Sequence, residues 1–224
     1  MIGDALALAR KDLLLEVRRR EVVLAMLQYV ITTLVVIHFA IAGAGSSQKA
    51  AAGMLWAAIL FTAVLSLNRC FAADQEEGAL DALLLAPIDR AAIWLGKVLA
   101  QISFLLVMEA LALPAFWLFF LQEQAGPSYP VLVAAVLLAD VGIACLGSLL
   151  AGLASSVRAR EVLLPALYLP FSIPLVLTAV RVTTDTIPPQ TSGLETLERL
   201  GFLALYDTVF ALLGWALFEY VVED

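Results

Sequence analysis

Six long apolar runs leave this chain few ways to fold. They cover residues 22–42, 51–71, 91–121, 131–157, 162–180 and 200–222. A helix needs roughly 20 apolar residues to cross about 30 Å of hydrocarbon, and each run is near that length. The runs are continuous rather than alternating, which excludes a transmembrane barrel. The 224 residues are 62% hydrophobic and 15% charged, whereas a soluble domain is nearer half and a quarter. The sequence predicts an all-α membrane protein with six transmembrane helices, forming a single transmembrane domain over residues 1–224. A net charge of −7 is a poor footprint for nucleic acid, so no such partner is expected. Arg10 and Lys11 interrupt the N-terminal region before any long apolar core, so no cleavable signal peptide is read. Cys70 and Cys145 stand far apart without CxxC spacing and read as free, buried thiols.

Before the first run, residues 1–20 are mixed. Ile2, Leu6, Ala9, Leu13 and Val17 recur at steps of three to four, one face of a helix. Arg10, Lys11, Arg18, Arg19 and Arg20 make it basic. Such a helix lies in the membrane interface on an anionic leaflet; the plainer alternative is a cytoplasmic extension. The third run is long for one crossing, so tilt or a kink at Pro114 is expected.

The fourth run carries Gly147, Ala151 and Ser155, and beside them Ser148, Gly152 and Ser156. This small-xxx-small pattern predicts close helix packing inside the bundle, with a dimer seam as its other use. Pro165, Pro170 and Pro174 remove three backbone donors from the fifth run. They fit either a permanent kink or a flexible gate. Residues 181–199 read as a polar external loop, in which Leu194, Leu197 and Leu200 suit a short surface helix.

Loop charge orients the bundle. With the N-terminus inside, Arg10, Lys11, Arg18, Arg19, Arg20, Arg69, Arg90, Lys97, Arg158 and Arg160 are cytoplasmic. Only Lys49, Arg181 and Arg199 lie outside, which accounts for all 13 basic residues. Both termini are therefore expected in the cytoplasm.

Residues 68–97 are the one long polar interruption in the first two-thirds of the chain. Within them, 72–88 fits a short cytoplasmic coupling helix along the membrane face between spans two and three. Leu80, Leu83 and Leu84 share one side, while Asp74, Glu77 and Asp81 recur on another. Pro87 stops the helix, and Asp89 is placed to cap the next one. A leucine ridge with an acidic rim suits a groove in a soluble partner. A helix that merely decorates the bilayer would be basic instead.

Three stretches carry a family resemblance: RKDLLLEVRRRE, LWAAILFTAVLSLNRCFAADQEEGALDALLLAPIDRAAIWLGKVLA and LLPALYLPFSIP. Together they resemble the permease subunit of the cytochrome c maturation ABC system, the haem exporter protein B family. The likeness runs from Lys11 to the fifth span. Glu76-Glu77-Gly78-Ala79-Leu80 is similar to the acid-acid-Gly-x-Leu core of exporter-type ABC permeases generally. Asn68-Arg69 departs from the Asp-Arg of the family pattern.

The resemblance implies an exporter-type ABC permease of the bacterial inner membrane, paired with a separate ATP-binding subunit and a second copy of itself. It also implies the haem-handling C protein and the small D protein of the same pathway as partners. ATP hydrolysis would drive haem export or release the haem-loaded chaperone. The ATPase-docking residues would be Asp74, Glu76, Glu77, Gly78, Leu80, Asp81, Leu83 and Leu84. ATP and magnesium would sit in the partner, because this chain lacks GxxxxGK[ST]: Gly96-Lys97 is followed by Val98. No catalytic residue, metal or directly bound cofactor is therefore assigned, and haem enters as substrate. Two other functions compete: a permease exporting a drug, lipid or polysaccharide, and a non-transporting scaffold that transmits ATPase motion.

Single residues sharpen these choices. His38, the one histidine, sits near the outer end of the first span. It fits a packed residue or a haem contact, since imidazole is the usual haem ligand. Glu109, Asp140 and Asp207 fall within apolar runs. Intramembrane carboxyls are functional candidates by default, and they could also serve as structural hydrogen-bonding groups between helices. The sequence displays no chain of partners for a proton relay.

Overall fold

The computed structural model describes residues 1–18, 20–41, 48–76, 88–120, 129–155, 160–186 and 193–221. Seven helices occupy them: α1 (Ile2–Arg18), α2 (Arg20–Ile41), α3 (Gln48–Glu76), α4 (Arg90–Phe120), α5 (Tyr129–Ser155), α6 (Arg160–Asp185) and α7 (Gly193–Val221). Among the described residues, five stretches are long and apolar enough to cross a membrane: Ala50–Asn68, Arg90–Phe120, Pro130–Ala154, Val162–Asp185 and Gly193–Phe218. α2 contributes a shorter apolar stretch, Met26–Phe39. The chain is a multi-pass membrane protein.

α5 is the hub, packed against α3, α4, α6 and α7. Its small residues explain this, because helices approach closely where side chains are short. Gly147 meets Leu67 of α3, and a Cβ there would collide with that side chain. A Cβ on Gly142 would fall 2.6 Å from the Asp207 carboxyl of α7. Ser148, Ala151 and Gly152 are buried as well. The small-residue pattern thus serves contacts inside the bundle. Leu55, Trp56, Leu67, Leu105, Ile143, Leu146, Leu164, Tyr168 and Leu175 fill the main core. Large apolar side chains such as Phe39, Leu118, Ile173 and Trp215 point outward, as a lipid-facing surface requires.

Helix starts follow local chemistry. Asp89 caps α4: the Ala91 amide donates to its Oδ1 at 3.0 Å, and the Ala92 amide to its carbonyl at 2.9 Å. The carboxylate also suits the positive end of the helix dipole. At the chain start, the Met1 ammonium donates to Asp4 Oδ2 at 2.7 Å and holds the Asp4 carboxyl below its ordinary range.

Three expectations need adjustment. First, residues 72–76, expected to open the coupling helix, are the last turn of α3; residues 77–87 lie outside the described residues. Second, the external loop of 181–199 is helical at both ends, since α6 runs to Asp185 and α7 begins at Gly193. Threonine hydroxyls make this possible by bonding back to the helix: Thr184 Oγ1 to the Val180 carbonyl at 2.8 Å, Thr186 Oγ1 to that of Val182 at 3.0 Å. Arg199 pairs with Asp185 and ties the two helix ends together. Third, of the expected apolar face of α1, Ala9 packs inward together with Ala5, while Ile2 and Leu6 are exposed. α4 runs through Pro114, and α6 through Pro165, Pro170 and Pro174, as single helices.

Candidate functional site

Two polar arrangements stand out in a bundle this apolar. One lies at the start of α4. Here α1 packs along α4. Gly96 makes the approach possible: a Cβ on it would lie 2.9 Å from Leu8 Cβ and 3.1 Å from the Ala5 carbonyl oxygen. One residue on, the Lys97 ammonium lies 2.8 Å from Asp12 Oδ2, with exposures of only 4% and 9%. The second oxygen of Asp12 pairs with Lys11 at 3.2 Å. Coulomb attraction between desolvated charges is strong, and separating them leaves a costly buried charge. α1 is thus clamped to α4 by shape and charge together. α7 joins the unit, because the Trp94 ring lies directly over Gly214.

Asp89 opens α4 directly after residues 77–87, where the sequence predicts the docking segment. Of the expected docking residues, Asp74 and Glu76 are placed in the last turn of α3. Glu77, Gly78, Leu80, Asp81, Leu83 and Leu84 lie outside the described residues. The sequence reading set Gly96 and Lys97 aside as a failed nucleotide motif. Their role was hidden because the partner Asp12 is 85 positions away in the chain.

The other arrangement is in the membrane interior. Glu109 of α4 and Asp140 of α5 are both buried, and their carboxyls lie close enough to interact directly. Asp207 of α7 is buried too, lying against Gly142 and near Cys145. Glu109 and Asp140 are within side-chain hydrogen-bond reach of each other, so whichever carboxyl keeps its proton donates to the other. Tyr168 lies within electrostatic reach of Asp140 and Tyr206; its hydroxyl donates to the Ile143 carbonyl at 3.4 Å. The Tyr206 hydroxyl donates to the Phe171 carbonyl at 2.8 Å. A line of polar groups therefore crosses α4, α5, α6 and α7, which the sequence did not reveal. Four helices contribute one or two residues each, so no local spacing marks it.

Further polar pairs stitch neighbouring helices. Ser66 of α3 donates to Gln101 Oε1 of α4 at 2.9 Å. Trp56 Nε1 of α3 donates to Thr183 Oγ1 of α6 at 2.9 Å. His38 of α2 sits among aromatic rings, with centroid distances of 5.3 Å to Phe119 and 5.7 Å to Phe120. That environment is the one a packed histidine adopts. Cys145 is a free, buried thiol.

Comparison with known proteins adds the family. The model of the CcmB protein family matches residues 4–214. Heme exporter protein B of Paracoccus denitrificans is 33% identical over 160 residues, covering 71% of each chain. The protein of that name from Rhodobacter capsulatus is 32% identical, covering 75% of this chain and 77% of its own. The one from Pseudomonas aeruginosa is 30% identical over 74% of each. The match runs from α1 to Gly214 in the second half of α7, and on that extent this chain belongs to the CcmB protein family.

Proposed function

We propose that this chain is the membrane subunit of an ABC-type haem-export complex in cytochrome c maturation, driven by a separate ATP-binding subunit. Family membership supports the haem pathway, since the relatives carry the name heme exporter protein B. The observation that carries the coupling is the clamp of α1 to α4 through Lys97, Asp12 and Gly96.

The acidic, leucine-ridged segment 72–88 is the grip for the ATPase. A pull on it reaches Ile88 and Asp89, then α4. α1 follows because the buried ion pair and the Gly96 notch resist sliding, and α7 follows through Trp94 on Gly214. The stroke either moves haem or releases the haem-loaded chaperone from the C protein; the small D protein completes the assembly. ATP and magnesium act in the partner, and this chain hydrolyses nothing. Two copies of the permease work with two ATPases in the bacterial inner membrane. α2, 22 residues long, is the sixth span, and both termini face the cytoplasm.

Copurification tests the grip. Glu77→Lys or Leu83→Asp should weaken capture of the ATP-binding subunit in detergent, while the permease stays inserted and folded. Undiminished capture by both variants would refute the docking reading.

A further inference from the structure

α2 packs against α1, α3 and α4. Met26, Val30 and Leu34 form its buried line, which leaves two flanks of the helix. They differ in chemistry. Leu24, Ile31, Val35 and Phe39 make one flank apolar, as lipid requires. The other carries Gln28, Tyr29, Thr32 and Thr33 beside Val36 and Ile37, and these six residues line a groove of about 450 Å³. Gln28, Tyr29, Thr32 and Val36 are exposed in it. All the lining comes from α2, so the groove has a wall on one side only. Within the apolar stretch Met26–Phe39, the one other polar residue is His38, which packs among phenylalanine rings. Hydrocarbon is the same on every side of a helix, so lipid alone gives no reason to gather the remaining polar groups on one flank.

We propose that a second copy of this chain docks on the polar flank of α2, the two α2 helices meeting about a two-fold axis near Thr32. The inference rests on the reading of α2 as a span and of the permease as two copies, and it names the surface that joins them. Lipid tails cannot pair with an amide or a hydroxyl, whereas a neighbouring helix can, and such interhelical bonds hold membrane helices together. A two-fold axis sets one patch against itself, so the patch must be its own complement. The Gln28 carboxamide and the hydroxyls of Tyr29, Thr32 and Thr33 each donate and accept, and no charge on the flank repels its twin. Gln28, Thr32 and Val36 recur every fourth residue, a ridge suited to helix-on-helix packing. From Gln28 to Ile37 the groove follows about 14 Å of helix axis, enough for a crossing helix about 10 Å across. A small ligand is the poorer occupant, because ligand pockets bury most of their guest.

The test uses the full-length chain in liposomes, with dimerisation read as energy transfer between donor-labelled and acceptor-labelled copies. The natural chain should dimerise. Gln28→Leu and Thr32→Val should each weaken the dimer about tenfold, because two-fold symmetry makes each substitution remove a pair of modest intramembrane hydrogen bonds. Ile31→Val, on the apolar flank, should change nothing. In a chain carrying Cys70→Ser and Cys145→Ala, Thr32→Cys should form a disulfide with its twin under mild oxidation, and Ile31→Cys should not, since the bond demands close approach. A dimer that keeps its full strength in both Gln28→Leu and Thr32→Val would overturn the proposal and leave the two-copy reading standing. So would cross-linking through Ile31→Cys in place of Thr32→Cys. Cross-linking of Thr32→Cys to a different subunit of the assembled complex would give the flank to that subunit and likewise overturn it. A natural chain that stays monomeric at every density, alone and with the ATP-binding subunit bound, would end the two-copy reading and the proposal together.

Discussion

Lys97 of α4 holds Asp12 of α1 at 2.8 Å, with almost none of either side chain open to solvent. A surface ion pair is worth little, but this one is desolvated and sits beside a glycine that admits the partner helix. Removing one partner of such a pair costs about 3–5 kcal/mol. Lys97→Met or Asp12→Leu alone should lower the thermal midpoint in detergent strongly. The double variant should recover much of the loss, because two apolar side chains can fill the same space. A double variant as unstable as the sum of the singles would remove the pair from the account.

Gly214 and Gly147 make a graded comparison. A methyl on Gly214 meets the rigid Trp94 ring, and one on Gly147 meets the end of the Leu67 side chain. Leucine can rotate away where an indole cannot. Overpacking costs about 1–3 kcal/mol, so Gly214→Ala should fall at the upper end of that range and Gly147→Ala at the lower. Thermal unfolding of the two variants checks the order, and Trp94→Leu should rescue Gly214→Ala.

Asp89 makes a local prediction. Its Oδ1 accepts the Ala91 amide at 3.0 Å, so Asp89→Ala should cost about 1 kcal/mol while Asp89→Asn or Asp89→Ser costs much less. Hydrogen exchange should localise the loss to the first turn of α4.

Glu109 and Asp140 face each other within side-chain hydrogen-bond reach, a bond that needs one of the two carboxyls to keep its proton. Glu109→Gln replaces that proton-dependent donor with an amide, from which Asp140 can accept whatever its protonation. The variant should be at least as stable as the natural chain, by up to about 1 kcal/mol, the net worth of a typical hydrogen bond. Calorimetry in detergent checks this, and a clear loss of stability would show that both carboxyls are needed.

The parts legible in the sequence share one property: their signal is local. Apolar runs located five long helices, though the last begins at Gly193, seven residues before its run, and Pro87 followed by Asp89 announced the start of α4. The burial of Glu109, Asp140 and Asp207 followed from their neighbours in the chain. What escaped depends on distant partners. Asp12 carries no local signal of its role, since its partner Lys97 is brought to it by the packing of α4. Thr183, Thr184 and Asp185 looked like a loop, because their polarity is hidden only by Trp56, by the helix's own carbonyls and by Arg199. The Glu109–Asp140 meeting needs two helices packed in one register, which no spacing within either helix encodes.

The central claim is that this chain serves haem delivery to c-type cytochromes. Its most direct test is the yield of haem-stained cytochrome c in a host lacking this gene, complemented with the natural chain or with the Glu77→Lys, Leu83→Asp double variant. The account predicts restored holocytochrome with the natural chain, and little or none with the double variant or with no complementation. Normal holocytochrome without any copy of the gene would contradict it.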